Sequence, residues 1–449
     1  MASSRAQQLR AGEIASKAIR SRKIDYGPRP APRPDGRLRV GFLSNDFGRH
    51  ATALLAAQLF ELIDRSRFEL FAYSHGRDDG SAMGARLRAA FDAFVDICDM
   101  PDEEAARRIH ADGIDVLIDL KGHTNGARLA IVAMRPAPAQ ASFLGFPGTT
   151  GAPFIDYVIA DPVVAPLERA GDFSETIVHL PHCYQPNDAT RPIAQATPTR
   201  SVCGLPERGF VFCCFNNSYK ITPAFFDIWM RLLIARPGSV LWLVESNARA
   251  KENLRAEAQR RGVAPERLVF APKLASPEHL ACHRLADLFL DTLPYGAHTT
   301  ASDALWSGLP VLTCLGETFA GRAAASLVLS VGLTEMVASS LDDYERRALE
   351  LSAGDCGVLR AIREKLAATR LSAPLFDAPR YARAFEEALL AMSQACAETG
   401  PRAIAVPEAS GPAPAPARVM RVRYEACPLC GCADAPQVLG ADCTRHALY

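Results

Sequence analysis

Apolar and polar positions alternate along this chain in two series of similar design. In the first, residues 38–43 form a nearly continuous apolar run, 44–50 are a polar turn, and 51–63 carry apolar residues at helical spacing. A second apolar run at 68–73, a helical pattern at 102–111 and a third run at 116–120 extend the order to β-α-β-α-β. The second series starts near residue 210. Strand 211–217 leads to Thr222 as a helix cap with Pro223 at the first helical position, and the helix continues to residue 235. Strand 240–245, helix 248–261, strand 268–271, helix 277–286 and strand 288–291 follow. Alternation of this kind predicts parallel sheets covered by helices, hence two doubly wound, Rossmann-like α/β lobes facing a cleft. Functional residues in that architecture gather at the carboxyl ends of strands, here 44–50, 74–77 and 121–126.

The segment 291–322, DTLPYGAHTTASDALWSGLPVLTCLGETFAGR, joins a buried strand to a helix, which Gly308 stops before the next strand at 310–314. His298, Thr299 and Thr300 stand at that helix start. Hydroxyls there cap the first turn and leave backbone N–H groups facing outward, a site suited to a phosphate. The resulting division is a helix with a proline-rich linker (1–37), an N-terminal lobe (38–200), a C-terminal lobe (201–395), a low-complexity linker (396–424) and a short tail (425–449).

Composition narrows the class. At 449 residues and 49% apolar, the chain can bury two large cores, and its formal net charge of zero gives no reason to expect nucleic acid or an anionic membrane surface as partner. The N-terminus has no apolar signal core and no run is long enough to span a bilayer, which points to a cytoplasmic protein. Nine of the thirteen cysteines are scattered through apolar segments, where a reduced thiol behaves as a small hydrophobe. The other four cluster in the tail. Cys427, Cys430, Cys443 and His446, with Cys432 competing, have the spacing of half a zinc ribbon and are expected to hold a structural zinc.

Nine blocks resemble, in order and spacing, the catalytic region of the O-linked N-acetylglucosamine (O-GlcNAc) transferase and Spindly-like family, glycosyltransferase family 41: SNDFGRH (44–50), DLKGHTNGAR (119–128), MRPAPAQASFLGFPGTTGAPFIDYVIAD (134–161), FNNSYKI (215–221), SVLWLVES (239–246), EHL (278–280), LADLFLDT (285–292), GAHTTASDALWSGLPVLT (296–313) and GETFAGRAAASLV (316–328). The resemblance implies a GT-B fold and an inverting transfer of N-acetylglucosamine from UDP-GlcNAc to Ser or Thr hydroxyls of an acceptor protein. The family's tetratricopeptide repeats are not visible in the thirty-odd residues before the blocks. A related UDP-hexose transferase acting on Asn or a small acceptor, and a catalytically idle UDP-sugar-binding interaction module, are the competing readings.

By the same resemblance, His123, Thr124, Pro147, Gly148, Asn217, His279, His298, Thr299, Thr300 and Asp303 contact the UDP-sugar, and His50 lies on the acceptor side. His279 matches a uracil- or ribose-side residue, although animal relatives carry a lysine where this chain has Ser276 and Pro277. Glycine and proline in FLGFPGTTG suit a close backbone approach to the sugar, as they would a plain tight turn. Displacing UDP builds negative charge on the diphosphate. Many transferases meet it with a metal on an Asp-x-Asp pair, which this sequence lacks, so Lys220 and the Thr299–Thr300 helix start are expected to meet it without a catalytic cofactor. His50, Asp119 and His123 compete as the base; the alternatives are a structural or substrate-positioning role for His50 and the capping or orienting of a loop for Asp119.

Overall fold

The computed structural model describes residues 4–31, 34–272 and 274–408. The tail motif of Cys427, Cys430, Cys432, Cys443 and His446 lies outside the described residues, as does most of the segment 396–424.

Two parallel sheets organise the described chain. The first contains β1 (Leu38–Ser44), β2 (Phe68–Ser74), β3 (Ala93–Asp96), β4 (Val116–Asp119), β5 (Ala139–Ser142), β6 (Tyr157–Ala160) and β7 (Thr176–His179). The second contains β8 (Val211–Cys214), β9 (Val240–Val244), β10 (Leu268–Ala271), β11 (Leu288–Leu290), β12 (Val311–Cys314) and β13 (Val337–Ala338), and β14 (Ile404–Ala405) returns to the first. Their orders are β14-β7-β6-β5-β4-β1-β2-β3 and β10-β9-β8-β11-β12-β13. Helices cover both faces of such sheets, so the central strands read as unbroken apolar runs: Val40, Phe42, Leu43 and Val116–Leu117–Ile118 are all fully buried. The helix Asp102–Ala111 has the expected bounds, and Pro223–Ala235 starts on its proline behind the Thr222 cap. No helix of the described residues is long and apolar enough to cross a membrane.

Two boundaries differ from the sequence-based division. The helix Ala378–Glu398, most of which falls inside 201–395, crosses back and packs Tyr381, Phe385, Leu389 and Met392 into the core beneath the first sheet. After it, β14 pairs in parallel with β7 inside the stretch expected to be linker. At the other end, the N-terminal helix Arg5–Lys17, capped by a reciprocal Ser4–Gln7 box, lies on the loop after β5. Ser16 Oγ donates to Thr150 O at 2.7 Å and Gln8 Nε2 to Pro147 O at 3.3 Å. Contact is backbone on backbone: Gly151, at φ +63°, has no room for a Cβ, which would come within 2.1 Å of Glu13 N. Arg5 then reaches both lobes, pairing with Asp172 at 2.9 Å and with Glu317 at 3.3 Å.

Candidate active site

The segment after β11 folds around a buried carboxylate. Asp291 directly follows the strand and accepts from Ala297 N at 2.6 Å and Thr313 Oγ1 at 2.8 Å, which turns the chain back so that the helix Thr299–Trp306 starts at the mouth of the cleft. Asn216, just past β8, fixes that start: its Oδ1 accepts from Thr300 Oγ1 at 2.6 Å while its Nδ2 donates to Thr292 Oγ1 at 3.0 Å. Between the lobes lies a cavity of about 270 Å³ whose lining includes His50, Pro147, Asn217, Lys220, His298, Thr299 and Thr300. Seven residues singled out from sequence in separate segments thus meet at one space.

Lys220 is buried in the wall, donating to Gly296 O at 2.8 Å with its ammonium 3.9 Å from the centre of the Tyr295 ring. Burial pushes its pKa down to about 8 against the pull of the Asp291 carboxylate. A cation whose charge burial disfavours is well placed to meet an anion. His298 is neutral, pushed by burial to about 3. Its Nε2–H donates to Ala320 O at 3.3 Å and its Nδ1 then accepts from Tyr184 Oη at 3.0 Å, so both ring nitrogens are already used. In this arrangement His298 holds the helix start, and Lys220 and the backbone N–H groups of the first turn are the donors left at the cavity wall.

His50 caps the helix Ala51–Leu62 from the N-lobe side, its Nδ1 accepting from Thr52 N at 3.2 Å. That bond needs the Nδ1 lone pair, so the neutral ring carries its proton on Nε2, a donor on a residue that lines the cavity. Burial also pushes the His50 pKa down, with Asp46, 3.3 Å from Nδ1 and ion-paired to Lys121 at 2.6 Å, pulling the other way. Proton uptake at Nδ1 would cost the Thr52 bond.

Asp119 does not line this cavity. It ends β4, is 1% exposed and accepts from Gly122 N at 2.6 Å; burial pushes it up to about 7. Its place is that of a loop anchor. His123 and Thr124 line a neighbouring, more apolar chamber of about 440 Å³ between the N-terminal helix and both lobes, which shares Pro147 and Tyr295 with the first cavity. His123 Nε2 lies 2.7 Å from Thr150 O, and Thr124 Oγ1 donates to Lys121 O at 2.9 Å. Gly148 is covered by Gln8, His279 packs its ring against Phe215 at 5.3 Å and His283 at 4.9 Å, and Asp303 pairs with Arg191 at 2.6 Å; none of the three lines either cavity. The glycines of FLGFPGTTG do serve a close approach, but to protein: a Cβ on Gly145 would come within 1.9 Å of Leu120 O.

Tyr184, Gln185, Tyr219 and Tyr295 line the cavity and were not singled out from sequence. Tyr295 sits inside the segment 291–322, where its neighbourhood to His298 was the available signal. Tyr184 and Gln185 lie five and six residues beyond the end of β7, a four-residue strand, in a stretch with no helical or strand period.

Two parallel α/β lobes with a cation and a helix start at their shared cleft define a GT-B glycosyltransferase fold. The Anabaena HepE structure with UDP and glucose superposes with a TM-score of 0.55 at 14% identity, covering 79% of this chain and 100% of that one. A lysine-to-methionine mutant of the Thermobaculum terrenum O-GlcNAc transferase superposes with a TM-score of 0.78 at 31% identity over 88% of this chain and 74% of that one. Residues 16–194 and 189–385 match glycosyl transferase family 41, and the chain belongs to that family. A probable UDP-N-acetylglucosamine–peptide N-acetylglucosaminyltransferase, SEC, from Arabidopsis thaliana is 39% identical over 371 residues, 81% of this chain but 38% of that protein. The chain spans about two fifths of the length of the curated relatives it matches, 38% and 40% for two of them.

Proposed function

We propose that this chain is a cytoplasmic, inverting glycosyltransferase that moves N-acetylglucosamine from UDP-GlcNAc to Ser or Thr hydroxyls of a protein, without a catalytic metal. The observation that carries the reading is Lys220, a buried cation in the cavity wall beside the free N–H groups of the Thr299–Thr300 helix start. In the reaction the acceptor oxygen forms a bond to the anomeric carbon as the bond from that carbon to the diphosphate oxygen breaks on the opposite face. The electron pair leaves with UDP, and the proton of the acceptor hydroxyl is released to solvent. Lys220 and the helix start meet that charge where it grows, and in a water-poor site one such donor contributes on the order of 10²–10³ in rate. His50, a donor on the far wall, orients the sugar or the incoming hydroxyl.

The test is a UDP-release assay with UDP-GlcNAc and UDP-glucose plus candidate acceptor proteins, with mass spectrometry of the modified residue. Lys220→Met is expected to bind UDP and to lose transfer by roughly a hundredfold or more. Wild-type turnover in that variant would remove Lys220 from the mechanism, and a protein that releases UDP from neither donor would overturn the reading.

A further inference from the structure

The stretch between the lobes, residues 184–191, is fastened to the helix His298 caps. Tyr184 Oη bonds His298 at 3.0 Å, Ser302 Oγ donates to Asn187 Oδ1, Arg191 pairs with Asp303 at 2.6 Å, and Trp306 Nε1 donates to Arg191 O at 3.2 Å. Asp188 and Thr190 are taken by Arg86, at 2.5 and 3.3 Å. Gln185 breaks the pattern. It is 1% exposed, it lines the 270 Å³ cavity, and its Nε2 has no hydrogen-bond partner among the described residues. The other unpartnered donors of the stretch, Nε and Nη2 of Arg191, belong to a side chain that does not line the cavity.

Buried amides are nearly always bonded, because an unmet donor keeps its full desolvation penalty. The backbone around Gln185 is fixed, its N–H on Cys183 Sγ at 3.4 Å and its C=O on Asn187 Nδ2 at 3.4 Å, so the side chain is held at the wall. The diphosphate is served by Lys220 and the helix start. A neutral group that both donates and accepts suits what remains of the donor, the hydroxyls of its sugar. We propose that Gln185 is a donor-binding residue that hydrogen-bonds a ring hydroxyl of the hexose carried by the nucleotide; this rests on the UDP-sugar reading of the cavity.

Isothermal titration of the whole chain with UDP, UDP-GlcNAc and UDP-glucose tests it. Gln185→Leu removes the amide at nearly constant volume and is expected to raise the dissociation constant of the better-bound UDP-sugar about tenfold while that of UDP stays within about twofold. Gln185→Met keeps the side-chain length without the amide and adds no charge; it gives the same comparison if the leucine variant does not fold. Equal weakening of UDP and UDP-sugar overturns the hexose assignment, as does unchanged binding of both. A wild-type protein that binds neither ligand overturns the UDP-sugar reading itself, an outcome distinct from wild-type binding with an indifferent Gln185→Leu.

Discussion

Lys220 is held where its charge is both useful and expensive. Burial pushes it down to about 8, so in the free protein the ammonium predominates at neutral pH and is lost as pH rises through about 8. Transfer that depends on the cation therefore falls on the alkaline side, with kcat/KM declining above about pH 8. A bound diphosphate favours the charged form, so the limb in kcat lies at higher pH than the limb in kcat/KM. Lys220→Arg keeps a cation at all these pH values and is expected to be slower but without the limb near 8. Steady-state rates from about pH 6 to about pH 10 check this; a limb at the same pH in the arginine variant assigns it to another group. His298, neutral down to about 3, contributes no limb in that range. At this scale Lys220, His298, Thr299 and Thr300 were legible because they stand in blocks that resemble the family's; by position alone a surface lysine and a plain helix cap would look the same. Their partners were not, since Tyr184 on His298 is a contact across 114 residues.

One element ties the site together, the helix Thr299–Trp306 with the stretch 184–191 fastened along it. Tyr184→Phe deletes the hydroxyl that bonds His298 Nδ1 and leaves a buried acceptor unmet, at a cost of about 1–3 kcal/mol. The ring, free to turn, then no longer fixes the helix start, so UDP affinity is expected to fall along with stability; urea unfolding and UDP titration on one preparation read both. Loss of stability with unchanged UDP affinity would confine Tyr184 to folding. Apolar runs and helical patterns such as 38–43, 223–235 and 248–261 announced their elements, whereas β5, which reads AQAS, has no apolar run, and no α-helix separates β5, β6 and β7 to mark the alternation. The stretch after β7 has no period at all, which is why Gln185 and Tyr184 came to light only in three dimensions.

The whole molecule is laced by chain that leaves one lobe and finishes in the other. An amphipathic stripe does not record which core it will join. That is why the helix Ala378–Glu398 looked from sequence like the end of the C-lobe, although its apolar face seats beneath the first sheet. Phe385 is its central contact, fully buried, with ring centres 5.1 Å from Phe143 and 6.4 Å from Phe42. Phe143 leads directly into Leu144, Gly145 and Pro147 at the cavity wall, so the returning helix supports the N-lobe half of the site from behind. Phe385→Ala opens a cavity there and is expected to cost roughly 3–5 kcal/mol in thermal or urea unfolding. Its effect on function should be one-sided. Asn217, Lys220, Thr299 and Thr300 belong to the other lobe, so UDP affinity should hold within about twofold at a temperature where the variant is folded. Transfer, which on the proposed mechanism also uses His50 and the 144–147 wall, should fall by a larger factor. If UDP affinity and transfer instead decline together, the two halves of the cleft are not separately supported, and the returning helix stabilises the molecule as a single unit.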